Sequence, residues 1–224
     1  MHTIGQWVHL NNRRNPAKEA FVGDGGRVTF AEAAENAWGL ARGLREKSIK
    51  NGDVVGVLAG NSLFNAEAFL GTACAGAVYG AYNWRWAPDE LAGGIRESNP
   101  KIILVEERFS DLIAAALEIL AADATYTGQA PEVIYENNVK ELRSGSGTFD
   151  PGITAEDPLC LIYTGGSTGI PKAVVLSHRS ASSNAINEII SCDLGNAVDD
   201  RGLILTPMFH SAALICWLTT HFVA

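Results

Sequence analysis

An α/β fold, a largely parallel β-sheet flanked by helices, is what this chain of 224 residues predicts. Two observations carry the prediction. The short apolar segments Val54–Ala59, Val78–Tyr82, Ile102–Val105 and Leu159–Tyr163 are continuous runs rather than alternating ones, the pattern of strands covered on both faces. Between most of them lie stretches of helical period, so strand and helix take turns along almost the whole chain.

The elements follow in order. Beyond the N-terminal segment, Glu19–Val22 and Arg27–Thr29 flank a Gly-Asp-Gly-Gly turn and read as a hairpin. Thr29 and Glu32 form a T-x-x-E capping box. The helix it opens sets Phe30, Ala33, Ala34, Ala37, Leu40, Ala41 and Leu44 on one face. Asn51-Gly52-Asp53 turns the chain into the strand at Val54, and Asn61-Ser62 caps a helix through about Gly76. Pro88-Asp89-Glu90 places proline and acids in the first turn of the next helix. An alanine-rich helix starts at Ser110 or Asp111 and runs to about Ala122, and Val133–Tyr135 is a strand. Leu142–Asp157, rich in Gly, Ser, Thr and Pro, is a surface connection. Ala173–Leu176 reads as strand, 179–190 as helix, Leu203–Thr206 as strand and Ser211–Ala224 as helix.

Composition bounds the function. The net charge of -8 argues against nucleic acid as a partner. Cys74, Cys160, Cys192 and Cys216 form no C-x-x-C pair and lie in or beside apolar segments, which reads as buried free thiols in a reducing, cytoplasmic setting. The first twenty residues lack a basic head followed by an apolar stretch, so no signal peptide is read there. No run approaches the roughly 18 apolar residues of a membrane span. Ala66–Tyr82 comes nearest, but Glu67 and its small residues make it a packed helix.

Chemistry concentrates in Tyr163–His178, YTGGSTGIPKAVVLSH. Gly165, Gly166 and Gly169 let main-chain N–H groups close around an anion. Thr164, Ser167 and Thr168 supply hydroxyls, and Lys172 supplies a positive point charge. Hung between two strands, these residues make a cradle for a polyphosphate. The segment is not the G-x-x-x-x-G-K-[ST] loop, because Lys172 follows Pro171 and Ala173 stands where a magnesium-binding hydroxyl belongs. A plain solvated turn is the alternative, and the density of hydroxyls beside Pro-Lys weighs against it.

This stretch resembles the signature loop of the adenylate-forming enzymes: acyl-CoA synthetases, peptide-synthetase adenylation domains and luciferases. The family pattern is roughly [YF]-T-S-G-[ST]-T-G-x-P-K-G, from which this chain departs at Gly165 and Ala173. Thr206-Pro207-Met208-Phe209-His210 is similar to the family's P-[LM]-[FY]-H segment. The resemblance implies an ATP-dependent carboxylic acid–CoA ligase. It would make an acyl-adenylate and pyrophosphate from a small carboxylic acid, then a thioester with coenzyme A. Thr164, Gly165, Gly166, Ser167, Thr168 and Gly169 would wrap the β- and γ-phosphates, and Lys172, the catalytic candidate, would neutralise charge as pyrophosphate leaves. Mg2+ would arrive on the ATP. Phe209 and His210 would border the carboxylate substrate.

Residues 1–224 match only the first part of such an enzyme; the later family motifs, Y-G-x-T-E and a late lysine among them, do not occur. The reading is therefore an N-terminal region of the AMP-binding domain, with the C-terminal domain outside this chain. An adenylation domain serving a carrier protein, and a noncatalytic nucleotide-binding module, stay open as alternatives, as does a homodimer. Ser177-His178 is read as structural, because adjacent strand residues point to opposite faces. Glu67 is expected to be paired or partly exposed, and Asn83-Trp84-Arg85-Trp86 to be packing. No His/Cys/Asp/Glu cluster has metal-ligand spacing.

Overall fold

The structure is a computed structural model that describes residues 2–164, 172–194 and 200–224. Helix α1 (Ile4–Arg14) opens the chain on a Thr3–Gln6 capping box. Strands β1 (Glu19–Gly23) and β2 (Gly26–Thr29) form a separate antiparallel hairpin. Thr29 then caps α2 (Phe30–Glu46) through the expected box with Glu32, and the face from Ala33 to Leu44 is buried.

The main sheet has six strands: β3 (Val54–Leu58), β4 (Val78–Ala81), β5 (Ile102–Val105), β6 (Glu132–Tyr135), β7 (Pro158–Thr164) and β8 (Lys172–Ser177). Their spatial order is β6-β5-β3-β4-β7-β8. All neighbours pair in parallel except β7 and β8, which form an antiparallel hairpin at the edge. Helices α3 (Leu63–Cys74), α4 (Pro88–Ser98), α5 (Ser110–Ala122), α6 (Glu136–Leu142) and α7 (His178–Cys192) complete the frame. A π-helical stretch, Ala212–Thr219, runs into α8 (Thr220–Val223).

Alternation along the strands sorts the core into two layers. Val55, Val57, Tyr79, Ala81, Ile102, Leu104 and Ile162 face α1, α2 and α3. Val78, Ile103, Val105, Leu161 and Tyr163 face α4 and α5. Both faces are therefore covered, which is why the strands read as unbroken apolar runs. Gly56 permits one close approach: a Cβ there would lie 2.4 Å from the Tyr82 ring.

Two expectations need correction, and one helix is additional. Leu203–Thr206 is not a strand. The main-chain oxygens of Ile204 and Thr206 accept instead from the Asn61 side-chain amide, at 3.3 and 2.8 Å, and Leu203 and Leu205 are 74% and 80% exposed. The thiols are not all buried: Cys74 and Cys160 are, and burial pushes both up to about 12, but Cys192 is exposed and Cys216 half-buried. The connection after Leu142 is preceded by α6, seven residues with Val139 alone buried. Among the described residues no helix is long and apolar enough to cross a membrane.

Candidate functional site

In an open α/β sheet, ligands gather beyond the carboxyl ends of strands where neighbouring connections leave in opposite directions. Here the chain leaves β4 toward β5 on one side and leaves β7 toward β8 on the other. The crevice between β4 and β7 is thus bordered by the segment after Tyr82 and by Thr164 at the end of β7.

The end of β7 is held firmly. The Tyr163 ring is 6% exposed, and its hydroxyl donates to the Gly94 main-chain oxygen at 3.1 Å. Trp86 meets that ring edge-on at 5.1 Å between centroids, and Tyr82 lies at 5.8 Å. Burial drives the Tyr163 phenol well above its ordinary range. The facing strand is anchored as well: the Ala173 N–H donates to the Glu97 carboxylate at 3.0 Å.

Thr164 and Lys172 are register partners across this hairpin, and the Thr164 hydroxyl donates to the Lys172 main-chain oxygen at 3.3 Å. Both residues are exposed. Among the described residues no carboxylate forms an ion pair with the Lys172 ammonium. Gly165, Gly166, Ser167, Thr168 and Gly169 lie outside the described residues. What the hairpin offers, among the described residues, is a hydroxyl and an ammonium without an ion-pair partner at the paired strand ends Thr164 and Lys172. That arrangement suits an anion.

Phe209 and His210 occupy a second wall. Phe209 is buried, packs edge-on against Trp84 at 6.0 Å, and lies 4.4 Å from the His210 ring. His210 is exposed, and its pKa is lowered, first by desolvation and then by the Arg85 charge. Asn61 fixes the wall: its side-chain oxygen accepts from the Met208 N–H at 2.9 Å, while its amide holds the two carbonyls already described. Asn61 was read only as part of a cap; Ser62 is the N-cap, accepting from the Asn65 N–H at 3.1 Å.

The segment after β4 joins the two walls. Trp84 reaches Phe209 and stacks on Phe109 at 5.9 Å, while Trp86 reaches Tyr163. Arg85 lies over Trp84 at 4.8 Å, and Arg108 over Phe109 at 4.8 Å. The packing role read for this cluster holds, and it is the packing that sets one wall against the other. Sequence reasoning missed Glu106, a buried carboxylate past β5 that accepts from the Gly60 N–H at 3.1 Å and from Arg108 Nε at 2.7 Å.

Two further readings are met. His178 is fully buried; its Nδ1 accepts the Ile4 N–H at 3.1 Å, and desolvation lowers its pKa to about 4. It stands apart from Ser177, which caps α7 by accepting the Ser180 N–H at 3.1 Å. Glu67 pairs with Arg143 at 2.6 Å and accepts from the Asn36 amide at 2.5 Å.

Comparison with known proteins agrees with this architecture. The family profile described as AMP-binding enzyme matches residues 8–224, and the chain belongs to that family. A feruloyl-CoA synthase of Amycolatopsis sp is 30% identical over 211 residues, 94% of this chain and 40% of the relative. A fatty acid–[acyl-carrier-protein] ligase of Streptomyces coeruleorubidus is 26% identical over 226 residues, 99% of this chain and 42% of the relative. Among solved structures, a fatty acyl CoA synthetase of Mycobacterium tuberculosis superposes with a TM-score of 0.82 and 28% identity, over 99% of this chain and 42% of that one. The chain therefore spans about two fifths of the length of these relatives.

Proposed function

We propose that this chain is the N-terminal part of an ATP-dependent acid–thiol ligase that activates a small carboxylic acid as its acyl-adenylate. The acyl group then passes to coenzyme A. The observation that carries the reading is the exposed Thr164–Lys172 pair at the feet of the TGGSTGIPK turn, in a chain of the AMP-binding family.

In this reading Thr164 and the intervening Gly165, Gly166, Ser167, Thr168 and Gly169 donate to the β- and γ-phosphates. Lys172 neutralises charge that gathers on pyrophosphate as it departs. Nothing covalent is asked of the protein; catalysis comes from positioning and from charge stabilisation. ATP would bring the α-phosphorus that the carboxylate attacks, and Mg2+ would be carried with the ATP to offset phosphate charge. His210, whose pKa desolvation and the Arg85 charge lower, borders the carboxylate together with Phe209. The remaining parts of the reaction belong to sequence outside residues 1–224, and the protein is assigned to the cytoplasm.

The test is carboxylate-dependent exchange of label between pyrophosphate and ATP by the full-length enzyme, with aliphatic and aryl acids as substrates. Exchange with at least one acid, followed by thioester formation on adding coenzyme A, is the expected result. ATP binding without exchange for any acid would overturn it in favour of a nucleotide-binding module. Exchange with acyl transfer only to a carrier protein would keep the adenylation step and replace the acceptor.

A further inference from the structure

Glu106 stands where two connections leave the sheet. It directly follows β5, and its N–H donates to the main-chain oxygen of Leu58, the last residue of β3, at 3.1 Å. It thus lies at the carboxyl ends of the strands, the end that carries the site. Its side chain is buried, and a buried carboxylate persists only where cations or donors answer it. Two groups converge on its Oε2. The Gly60 N–H donates at 3.1 Å, and the Arg108 guanidinium donates through Nε at 2.7 Å and Nη2 at 2.6 Å. The fit leaves no room for a side chain at position 60, because a Cβ on Gly60 would collide with Arg108 Nη2.

Each of the two groups roots an arm that ends on the wall of Phe209 and His210. Gly60 leads into Asn61, whose side chain holds the Thr206 oxygen at 2.8 Å and the Met208 N–H at 2.9 Å. The Gly60 oxygen is fixed as well, accepting from the Asn65 amide at 2.7 Å. Arg108 leads into Phe109 and lies over its ring at 4.8 Å. Phe109 stacks on Trp84, which meets Phe209 edge-on. Apolar packing often stabilises a fold as well as a buried ion pair does. A charged clamp at the root of both arms therefore answers a need for placement.

We propose that Glu106 is a positioning residue for the acid substrate, its one carboxylate setting both supports of the wall that borders that acid. This rests on the reading of Phe209 and His210 as the carboxylate side of the site. Neutralising Glu106 releases the Arg108 arm and weakens the hold on Gly60, so Phe209 and His210 lose their common reference. Thr164 and Lys172 keep theirs, because Tyr163 is fixed to Gly94 and Ala173 to Glu97. Acid binding then suffers and nucleotide binding does not.

The test compares the full-length enzyme, carrying isotope-labelled histidine, with its Glu106→Gln and Phe109→Leu variants. Glu106→Gln keeps the shape and removes the charge; Phe109→Leu breaks the second arm without touching the buried carboxylate. Both should move the His210 imidazole resonances and leave those of His178, which is buried against α1 and outside the arms. Pyrophosphate exchange is then measured with benzoate or hexanoate, whichever the unaltered enzyme uses faster. Both variants should raise KM for the acid about five- to tenfold and keep KM for ATP within about twofold. A His210 resonance that stays in place in Glu106→Gln, or moves together with that of His178, overturns the proposal and leaves the ligase reading standing. An equal rise in the two KM values also overturns it. Failure of the unaltered enzyme to exchange with any acid would sink the ligase reading itself, and the substrate named here with it.

Discussion

The Tyr163 hydroxyl donates to the main-chain oxygen of Gly94 at 3.1 Å, which ties the last residue but one of strand β7 to the middle of helix α4. Everything beyond Tyr163 toward the phosphate turn starts from this fixed point. The Trp86 ring meets the same tyrosine edge-on and also lies against Gly94, so the segment after β4 and helix α4 close on it together.

Tyr163→Phe removes that hydrogen bond and keeps the ring. Gly94 retains the Ser98 hydroxyl as a donor at 2.8 Å, so the carbonyl is not left bare. The expected loss is about 1 kcal/mol in urea unfolding, with the edge-on contact to Trp86 preserved. A loss beyond about 3 kcal/mol would mean that the ring itself has moved.

Lys172→Ala is expected to weaken ATP binding much more than AMP binding, because the ammonium is assigned to the outer phosphates. Removing one charge-assisted contact is worth about tenfold or more in affinity. Calorimetric titration of both nucleotides measures the ratio. Equal loss for the two would contradict the assignment.

His178 makes stability depend on acid. Its folded pKa of about 4 lies below the 6.5 of a free histidine because burial disfavours the charged ring. A base whose pKa falls on folding contributes its stability fully above about pH 6.5 and loses it as pH drops toward 4. The span is worth about 3 kcal/mol. Urea unfolding at pH 7 and pH 4.5 should show this loss, and His178→Gln should flatten the difference. An equally steep dependence in the variant would move the cause to other groups.

Asn61→Ala should loosen Thr206–His210 without unfolding the protein. The Met208 N–H loses its acceptor, and two carbonyls lose a donor. Hydrogen exchange at the Met208 amide should quicken about five- to tenfold, while amides in β3 keep their rates.

Much of this was legible because local signals agreed with tertiary burial. Strand β5 and helix α5 fall where the apolar run and the alanine-rich stretch put them. The Thr29–Glu32 box opens α2 as written. Helix α1 escaped notice because only Ile4, Val8 and Asn11 are buried along its length, although Thr3 and Gln6 offered the same capping signal. Leu203–Thr206 has the residue types of a strand, but its carbonyls are taken by a side chain some 140 positions earlier, which no local pattern reveals. At the site, the T-G-G-S-T-G-I-P-K turn was evident from composition. The joining of its wall to that of Phe209 through Trp84 and Trp86 was not, because aromatic packing carries no directional mark in sequence.

The contact between the Ile4 N–H and His178 Nδ1 spans 174 positions of the chain. During synthesis at roughly 5–20 residues per second, α1 therefore emerges about 10–35 s before its anchor exists. Helices α2 and α3, on which most of α1 packs, are made by residue 74, so the Ile4 N–H waits for its acceptor while the rest of the helix can already seat. A nascent chain stalled before His178 would thus hold α1 against its early neighbours with its first turn still unfastened, and the molecule's oldest end would be locked only by one of its late helices.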